Sequence, residues 1–354
     1  MGRRVRATGC AAPACWAHVW GRGRFMQACI KRPRPQMRTM EGERGGWRMD
    51  VGQTMSIMVT QTVAMFLMMA IGIALHMAHY LDRKGAQQLA SIAVYVATPA
   101  VVVSSLATDF SWDKLANAGI CAVLCVVLTL GSAAIAWLVY RDRQRISQFA
   151  IMISNMGFIG IPLVQSVLGE EYVFYVSAAI AAQVPISWTY GIWLVSQDKS
   201  LMSPRKVLTN PSVIAVAVGI VLFFCSVNLS GVLEVTAVDM GNLNTGLAML
   251  VLGSYLAETD FRSILRNKNV YLTNVIRLVV VPLATIALLA PLPVALEAKL
   301  VMLIAFAAPC GTTTAMFSQM FGGDYRLGAG LVSVSTLLSM LTMPAMLFLG
   351  LLVF

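Results

Sequence analysis

The chain has few charged residues for its length, and this scarcity excludes most soluble folds. Charged side chains make up 12% of the 354 residues, whereas hydrophobic residues make up 58%. The mean hydropathy is +0.75. A soluble domain of this size has no way to bury so much apolar surface, so the composition predicts an all-α polytopic membrane protein.

Acidic residues are absent from the middle of the apolar segments; Asp109, Glu258 and Asp260 lie at segment ends. An obligatory carboxylate proton relay or a carboxylate-rich sodium site is therefore not expected. The sequence also lacks a nucleotide-binding glycine-rich loop and a nucleophile–base pair, which argues against an ATP-driven pump or an enzyme. We predict no catalytic residues and no cofactor.

The cysteines of the apolar segments have no metal-binding or redox spacing, so we predict small buried hydrophobic side chains and no metal site. These residues are Cys121, Cys125, Cys225 and Cys310.

Positive charge is concentrated at the N-terminus. Residues 1–48 carry a net charge of +9, and the remainder only +1. The overall basicity therefore does not indicate a nucleic-acid partner. We predict that residues 1–54 are an extension outside the fold. Either the natural start is Met49 or Met55, or the segment is a disordered basic tail.

Apolar runs separated by short charged loops predict ten membrane spans. We divide them into a first repeat of five spans (55–196), a cytoplasmic linker (197–211) and a second repeat of five (212–354). The spans are 55–80, 86–107, 115–140, 146–168, 173–196, 212–230, 238–257, 270–290, 297–320 and 327–353.

Loop charge predicts the orientation. The odd-numbered loops hold twelve Lys and Arg residues, whereas the even-numbered loops hold only Lys114 and Lys299. Since positive loops face the cytoplasm, both termini are predicted to be extracytoplasmic, in a cell inner membrane.

Short matches between the halves predict an inverted 5+5 repeat. The end of span two, Ser104–Phe110, matches the end of span seven, Ser254–Phe261. The exit of span four at Tyr172 matches the exit of span nine at Tyr325. The same offset in residue number also aligns the interrupted segment of span four with the interrupted segment of span nine. Five spans per half give the halves opposite orientations.

Span four contains Asn155, Gly157, Gly160 and Pro162 at mid-depth, which predicts a helix that breaks near Gly157 to Gly160 and starts again. In a bilayer such a break must lie within protein or line a wet cavity. The new helix start would attract an anion, and the amide of Asn155 would help to hold a carboxylate. The alternative is a kinked helix whose Asn bonds a neighbouring helix.

Other polar groups inside spans are weaker candidates for the same site. Pro309 and Gly311 interrupt span nine, and Thr312 supplies a hydroxyl that could equally be structural. Gln183 in span five could contact substrate or another helix. Arg277 in span eight either has an anion-attracting or dipole-compensating role, or extends to the interface as an anchor.

Several segments resemble the auxin efflux carrier family. They are Asn155-x-Gly-Phe-x-Gly-Ile-Pro162, Asn210-Pro211, Gly253-Ser-Tyr-Leu-Ala and Ala308-Pro309 followed by Phe321-Gly-Gly-Asp. The bacterial members of this family are permeases, some for malonate and related carboxylates. The resemblance implies a ten-span fold like that of bile-acid symporters, with spans four and nine crossing at their breaks and an elevator-type movement. It covers about residues 55–354.

The function predicted from these features is a secondary transporter of small organic anions such as malonate, working by alternating access in a lipid bilayer. A homodimer remains an open alternative. So does a non-transporting membrane sensor or scaffold, or a channel on the same fold, although no charged ring or carbonyl filter is seen.

Overall fold

A computed structural model describes residues 51–141, 143–198, 200, 208–209 and 211–354. The predicted extension up to residue 50 and most of the linker 197–211, including Asn210, lie outside the described residues. The described chain is almost entirely helical, and its only β pairing is one isolated bridge. The all-α membrane architecture predicted from composition is confirmed.

The helices of the described residues are numbered in chain order. They are α1 (Val51–Met77), α2 (Arg83–Leu106), α3 (Trp112–Tyr140), α4 (Arg145–Met152), α5 (Met156–Val167), α6 (Glu170–Ser196), α7 (Pro211–Phe224), α8 (Val232–Glu258), α9 (Phe261–Arg266), α10 (Lys268–Leu289), α11 (Leu296–Ala307), α12 (Thr313–Met320) and α13 (Tyr325–Val353).

Seven of these helices are long and apolar enough to cross a membrane: α1, α2, α3, α6, α8, α10 and α13. Helix α7 is apolar but has only 14 residues. Predicted spans four and nine are each divided into two short helices, α4 with α5 and α11 with α12.

Three prolines within predicted spans each lie two residues after the end of a π-helical turn. The turns are Ala93–Ala97, Met156–Gly160 and Ile276–Val280, and Pro99, Pro162 and Pro282 are each the second residue after them. A proline donates no hydrogen bond and crowds the preceding turn, and the wider π turn accommodates both effects. These helices therefore continue through their prolines instead of ending there.

The helices pack as two groups. In the first group α8 packs against both α1 and α2, and α2 also packs against α7. Helices α3–α6 and α10–α13 form the second group, which contains both broken spans. Across the boundary, α1 and α8 touch α5 and α13, and α2 and α7 touch α6.

The outer surface is apolar along the long helices. Leu67 on α1, Val123 on α3 and Leu341 on α13 are each more than 60% exposed. Exposed apolar surface on this scale fits contact with lipid tails.

Candidate functional site

The two broken spans cross where their helices are interrupted. Between α4 and α5 the extended residues Ile153–Asn155 pair with Pro309–Gly311 between α11 and α12. The Asn155 amide donates to the Pro309 carbonyl at 3.0 Å, and the Gly311 amide donates to the Ile153 carbonyl at 2.9 Å. These two bonds flank an antiparallel bridge between Ser154 and Cys310. Each break therefore satisfies part of the backbone of the other.

The interruption of span four lies at Ile153–Asn155, before the predicted position at Gly157–Gly160. Gly157, Gly160 and Pro162 belong to the restarted helix α5, and the chain leaves helical geometry at Ile153. The predicted location at Gly157–Gly160 is corrected on this point, because the π turn absorbs the effect of the proline. The interruption of span nine begins at Ala308, next to Pro309 as predicted.

The glycines of the two breaks have different surroundings. A Cβ atom on Gly311 would lie 2.9 Å from the Ile153 side chain and 3.1 Å from the Thr313 hydroxyl. Gly311 is therefore needed for the close approach of the two segments. A Cβ atom on Gly157 would meet nothing within 4 Å, and Gly157 is half-buried. Open space thus borders the crossing at the start of α5.

Asn155 lies at the crossing with an unused donor. It is 4% exposed, and its carbonyl accepts bonds from the Ile159 and Gly160 amides at 3.2 Å. Its side-chain Nδ2 is buried and has no hydrogen-bond partner. A buried donor without a protein partner is costly, and it is available to a ligand that enters the crossing.

The start of α12 shows the same feature. The Thr312 carbonyl accepts from the amides of Ala315 and Met316, while the Thr313 and Thr314 hydroxyls are buried without partners. The Cys310 amide is satisfied by the Ser335 hydroxyl on α13 at 3.1 Å. At this break, the buried polar groups without a partner are therefore the hydroxyls of Thr313 and Thr314.

Arg277 is fully buried behind the crossing and bonds to both broken spans. Its Nε and Nη2 donate to the Ala308 carbonyl at 3.2 and 2.8 Å, and its Nη1 donates to the Ile151 carbonyl at 3.2 Å. These carbonyls lie at the C-terminal ends of α11 and α4. The geometry fits the dipole-compensating alternative and does not fit an interface anchor, whose guanidinium would be in water.

Gln183 lies on α6, which contacts both the Met156–Gly160 turn and α11. Its Nε2 is buried without a partner, and its carbonyl accepts from the Ser187 hydroxyl.

Six of the predicted site residues meet at the crossing: Asn155, Gly157, Pro309, Gly311, Thr312 and Arg277. Two others, Gly160 and Pro162, lie further along α5.

Two polar residues at the crossing were not singled out from the sequence. The Ser154 hydroxyl donates to the Ala305 carbonyl, one turn before the break in span nine. Asn244 on α8 accepts from the Thr98 hydroxyl at 2.9 Å and donates to the Gly157 carbonyl at 3.4 Å. An amide in the middle of a predicted span was the available signal for Asn244.

No group of three or more His, Cys, Asp or Glu side chains that could hold a metal ion occurs in the part of the chain that the structure describes. The only charged side chains among its buried residues are Arg277 and Lys299. The polar groups at the crossing are amides, hydroxyls, backbone groups and one guanidinium.

Comparison with known proteins agrees with this architecture. A search of curated proteins finds no match. A sequence model of the family described as "Membrane transport protein" matches residues 57–200 and 198–347, which is most of the chain. The chain therefore belongs to the membrane transport protein family, the auxin efflux carrier family whose motifs its breaks resemble.

Proposed function

We propose that this membrane transporter is a secondary carrier of small organic anions, with malonate and related carboxylates as the substrate class. The observation that carries the proposal is the crossing of the two broken spans. Broken helices facing each other at mid-membrane are the usual construction of a carrier's substrate site.

The chemistry of the crossing supports an anionic substrate. Two helix starts, those of α5 and α12, lie next to the breaks, and helix N-termini carry a partial positive charge. Near them, Asn155 Nδ2 and the Thr313 and Thr314 hydroxyls are buried donors without partners. No buried Asp or Glu occurs among the described residues to oppose an anion. A carboxylate would satisfy several donors at once.

The proposed site consists of residues with separate roles. Asn155 and Thr312 would contact the carboxylate, and Gly157 and Gly311 would leave room for it and for the crossing. Pro162 and Pro309 would shape the two interruptions. Gln183 would approach from α6, where its Nε2 has no partner.

The proposed membrane arrangement is ten spans in an inverted 5+5 repeat, in an inner membrane with both termini outside. Support comes from the antiparallel pairing of the two breaks, which is the relation that inverted halves require. The loop charges support the orientation.

Alternating access would move the two helix groups against each other. Four methionines, Met65, Met69, Met249 and Met343, line a cavity of about 10 Å³ between α1, α5, α8 and α13. Methionine side chains adapt easily to a shifted neighbour.

At one end of the boundary between the two helix groups, polar side chains of one group contact those of the other. The Arg83 guanidinium lies 4.2 Å from the Tyr325 ring centre, and the Tyr325 hydroxyl donates to Glu258 at 3.2 Å. Gln87 donates to Gln319 at 3.0 Å beside them. We call these residues the end latch. By the loop charges it lies at the cytoplasmic end, and we propose that it closes the carrier on that side.

The test is uptake of radiolabelled malonate, succinate and a neutral analogue such as malonamide into proteoliposomes containing the full chain. We expect saturable uptake of dicarboxylates and none of malonamide. Protein-free liposomes and protein carrying Asn155→Asp, which places a negative charge at the crossing, are the controls. Absence of uptake under every gradient would favour the sensor or scaffold alternative. Flux that does not saturate would favour a channel.

A further inference from the structure

We propose that Asn244 is a specificity residue of the anion site, whose amide binds the second carboxylate of a dicarboxylate, and that Thr98 positions this amide. The proposal rests on the function proposed above, because it requires a carboxylate at the crossing. It adds a contribution from the first helix group, since Thr98 lies on α2 and Asn244 on α8.

The first observation is the position of Asn244. The residue lies near the middle of α8, is 1% exposed, and donates through Nδ2 to the Gly157 carbonyl of α5 at 3.4 Å. This bond crosses the boundary between the two helix groups, two residues after Asn155. A Cβ atom on Gly157 would meet nothing within 4 Å. Asn155 and Asn244 therefore place one buried amide from each helix group close to open space.

The second observation is that the bond to Gly157 leaves a donor of Asn244 unused. In the π turn of α5 the Ile161 amide donates to the Met156 carbonyl. The next donor in this pattern would be Pro162, which has no N–H, so the Gly157 carbonyl is available to Asn244. An amide nitrogen carries two N–H groups, and among the described residues only the Gly157 carbonyl accepts from this one. The other N–H can bind an anion.

The third observation is the orientation of the Asn244 amide. The Thr98 hydroxyl donates to Oδ1 at 2.9 Å. A backbone carbonyl only accepts hydrogen bonds, so the atom that faces Gly157 is the nitrogen. The two contacts together hold the amide with its donors on the side of the crossing. Thr98 directly follows the π turn Ala93–Ala97 of α2, and single π turns are frequent at functional sites.

These contacts give a dicarboxylate two points of attachment. One carboxylate binds the donors of the crossing, among them Asn155 Nδ2, and the other binds Asn244 Nδ2. A monoanion of similar size makes only the first set of bonds. No buried Asp or Glu occurs in the described part of the chain to repel the second carboxylate. The preference for dicarboxylates therefore arises at Asn244.

The experiment measures binding of malonate and of monomethyl malonate, which masks one carboxylate, to the purified full chain. Affinity is obtained from the rise of the melting midpoint with ligand concentration, which requires no transport. The wild type should bind malonate about 10-fold more tightly than the monoester. Asn244→Ala should lose this preference by weakening malonate and leaving the monoester within about twofold. The matched control is Asn274→Ala, at a buried amide that donates within α10, and it should keep the preference.

Two variants of Thr98 test the positioning role and cover the case in which Asn244→Ala does not fold. Thr98→Val removes the hydroxyl that holds Asn244 Oδ1, so it should reduce the preference for malonate. Thr98→Ser keeps a hydroxyl and should restore the preference. The proposal is overturned if Asn244→Ala weakens both ligands equally or neither. Without a folded Asn244→Ala, an unchanged preference in Thr98→Val overturns it.

Malonate uptake into proteoliposomes separates this proposal from the proposed function. A wild type that transports malonate but binds it no more tightly than the monoester overturns the role of Asn244, and the proposed function stands. A wild type that neither binds nor transports malonate overturns the proposed function itself.

Discussion

Replacing Asn155 by alanine should reduce transport without reducing stability. A buried amide that serves only packing is expected to have its donors satisfied, whereas Asn155 Nδ2 has no partner. An unsatisfied buried donor costs about 1–3 kcal/mol. Asn155→Ala removes this cost and creates only a small cavity. The free energy of unfolding should therefore stay unchanged or rise by about 1 kcal/mol.

The effect on transport should be much larger. A hydrogen bond to a charged group contributes about 1.5–3 kcal/mol, which corresponds to roughly 10- to 150-fold in affinity. The half-saturation concentration for malonate should rise by that factor in Asn155→Ala. The assay is a concentration series of uptake in proteoliposomes, paired with a melting curve of the same preparation.

Asn244→Ala is the matched comparison for stability. Asn244 is also buried, but its amide is bonded to Thr98 and to the Gly157 carbonyl. Removal of the Asn244 amide leaves both partners unpaired, so we expect the free energy of unfolding to fall by about 1–3 kcal/mol. The reasoning is refuted if Asn155→Ala is destabilised as much as Asn244→Ala and its uptake falls only with the folded fraction.

Two further predictions concern the crossing and the end latch. Gly311→Ala should lower both the melting temperature and the transport rate, because its Cβ would lie 2.9 Å from Ile153. Gly157→Ala, in open space, should keep the melting temperature within about 2 °C of wild type. Equal melting temperatures of the two variants would contradict this prediction. Tyr325→Phe removes the hydroxyl that donates to Glu258 and should shift the conformational equilibrium by about 1.5 kcal/mol, roughly 10-fold, toward the state open at the latch end. The measurement is the rate of proteolysis or thiol labelling at that end, and an unchanged rate would exclude a latch.

The sequence predicted the positions of the helices well because the determining information is local. Apolar runs and charged loops define a span without reference to other spans. The predicted segments begin and end within a few residues of the helices, apart from 212–230 and 238–257, where α7 ends early and α8 begins early. The equal offset of the two interruptions also indicated that they correspond.

The register of the crossing could not be predicted because it depends on contacts between distant segments. The pairing of Ser154 with Cys310 and the bonds from Arg277 to Ile151 and Ala308 join residues far apart in sequence. Proline was also taken as a helix breaker, whereas a π turn before Pro162 keeps that helix intact. The sequence therefore indicated which residues gather near the site but not which atoms they contact.

The most direct test of the account is thiol labelling at the start of α5 in Gly157→Cys. This position has open space for a side chain, whereas three native cysteines, Cys121, Cys125 and Cys310, are buried. Cys225, which is exposed, and the cysteines before residue 50 are replaced by serine. Gly131→Cys, an open but membrane-facing position on α3, is the control and should not react with a water-soluble maleimide.

If the crossing is the substrate site of an alternating-access carrier, the thiol at position 157 should react with the impermeant maleimide from either side of the membrane. Malonate should slow both reactions, and malonamide should slow neither. Labelling from one side only, or labelling that no carboxylate slows, would contradict the claim that an anion is carried through this crossing.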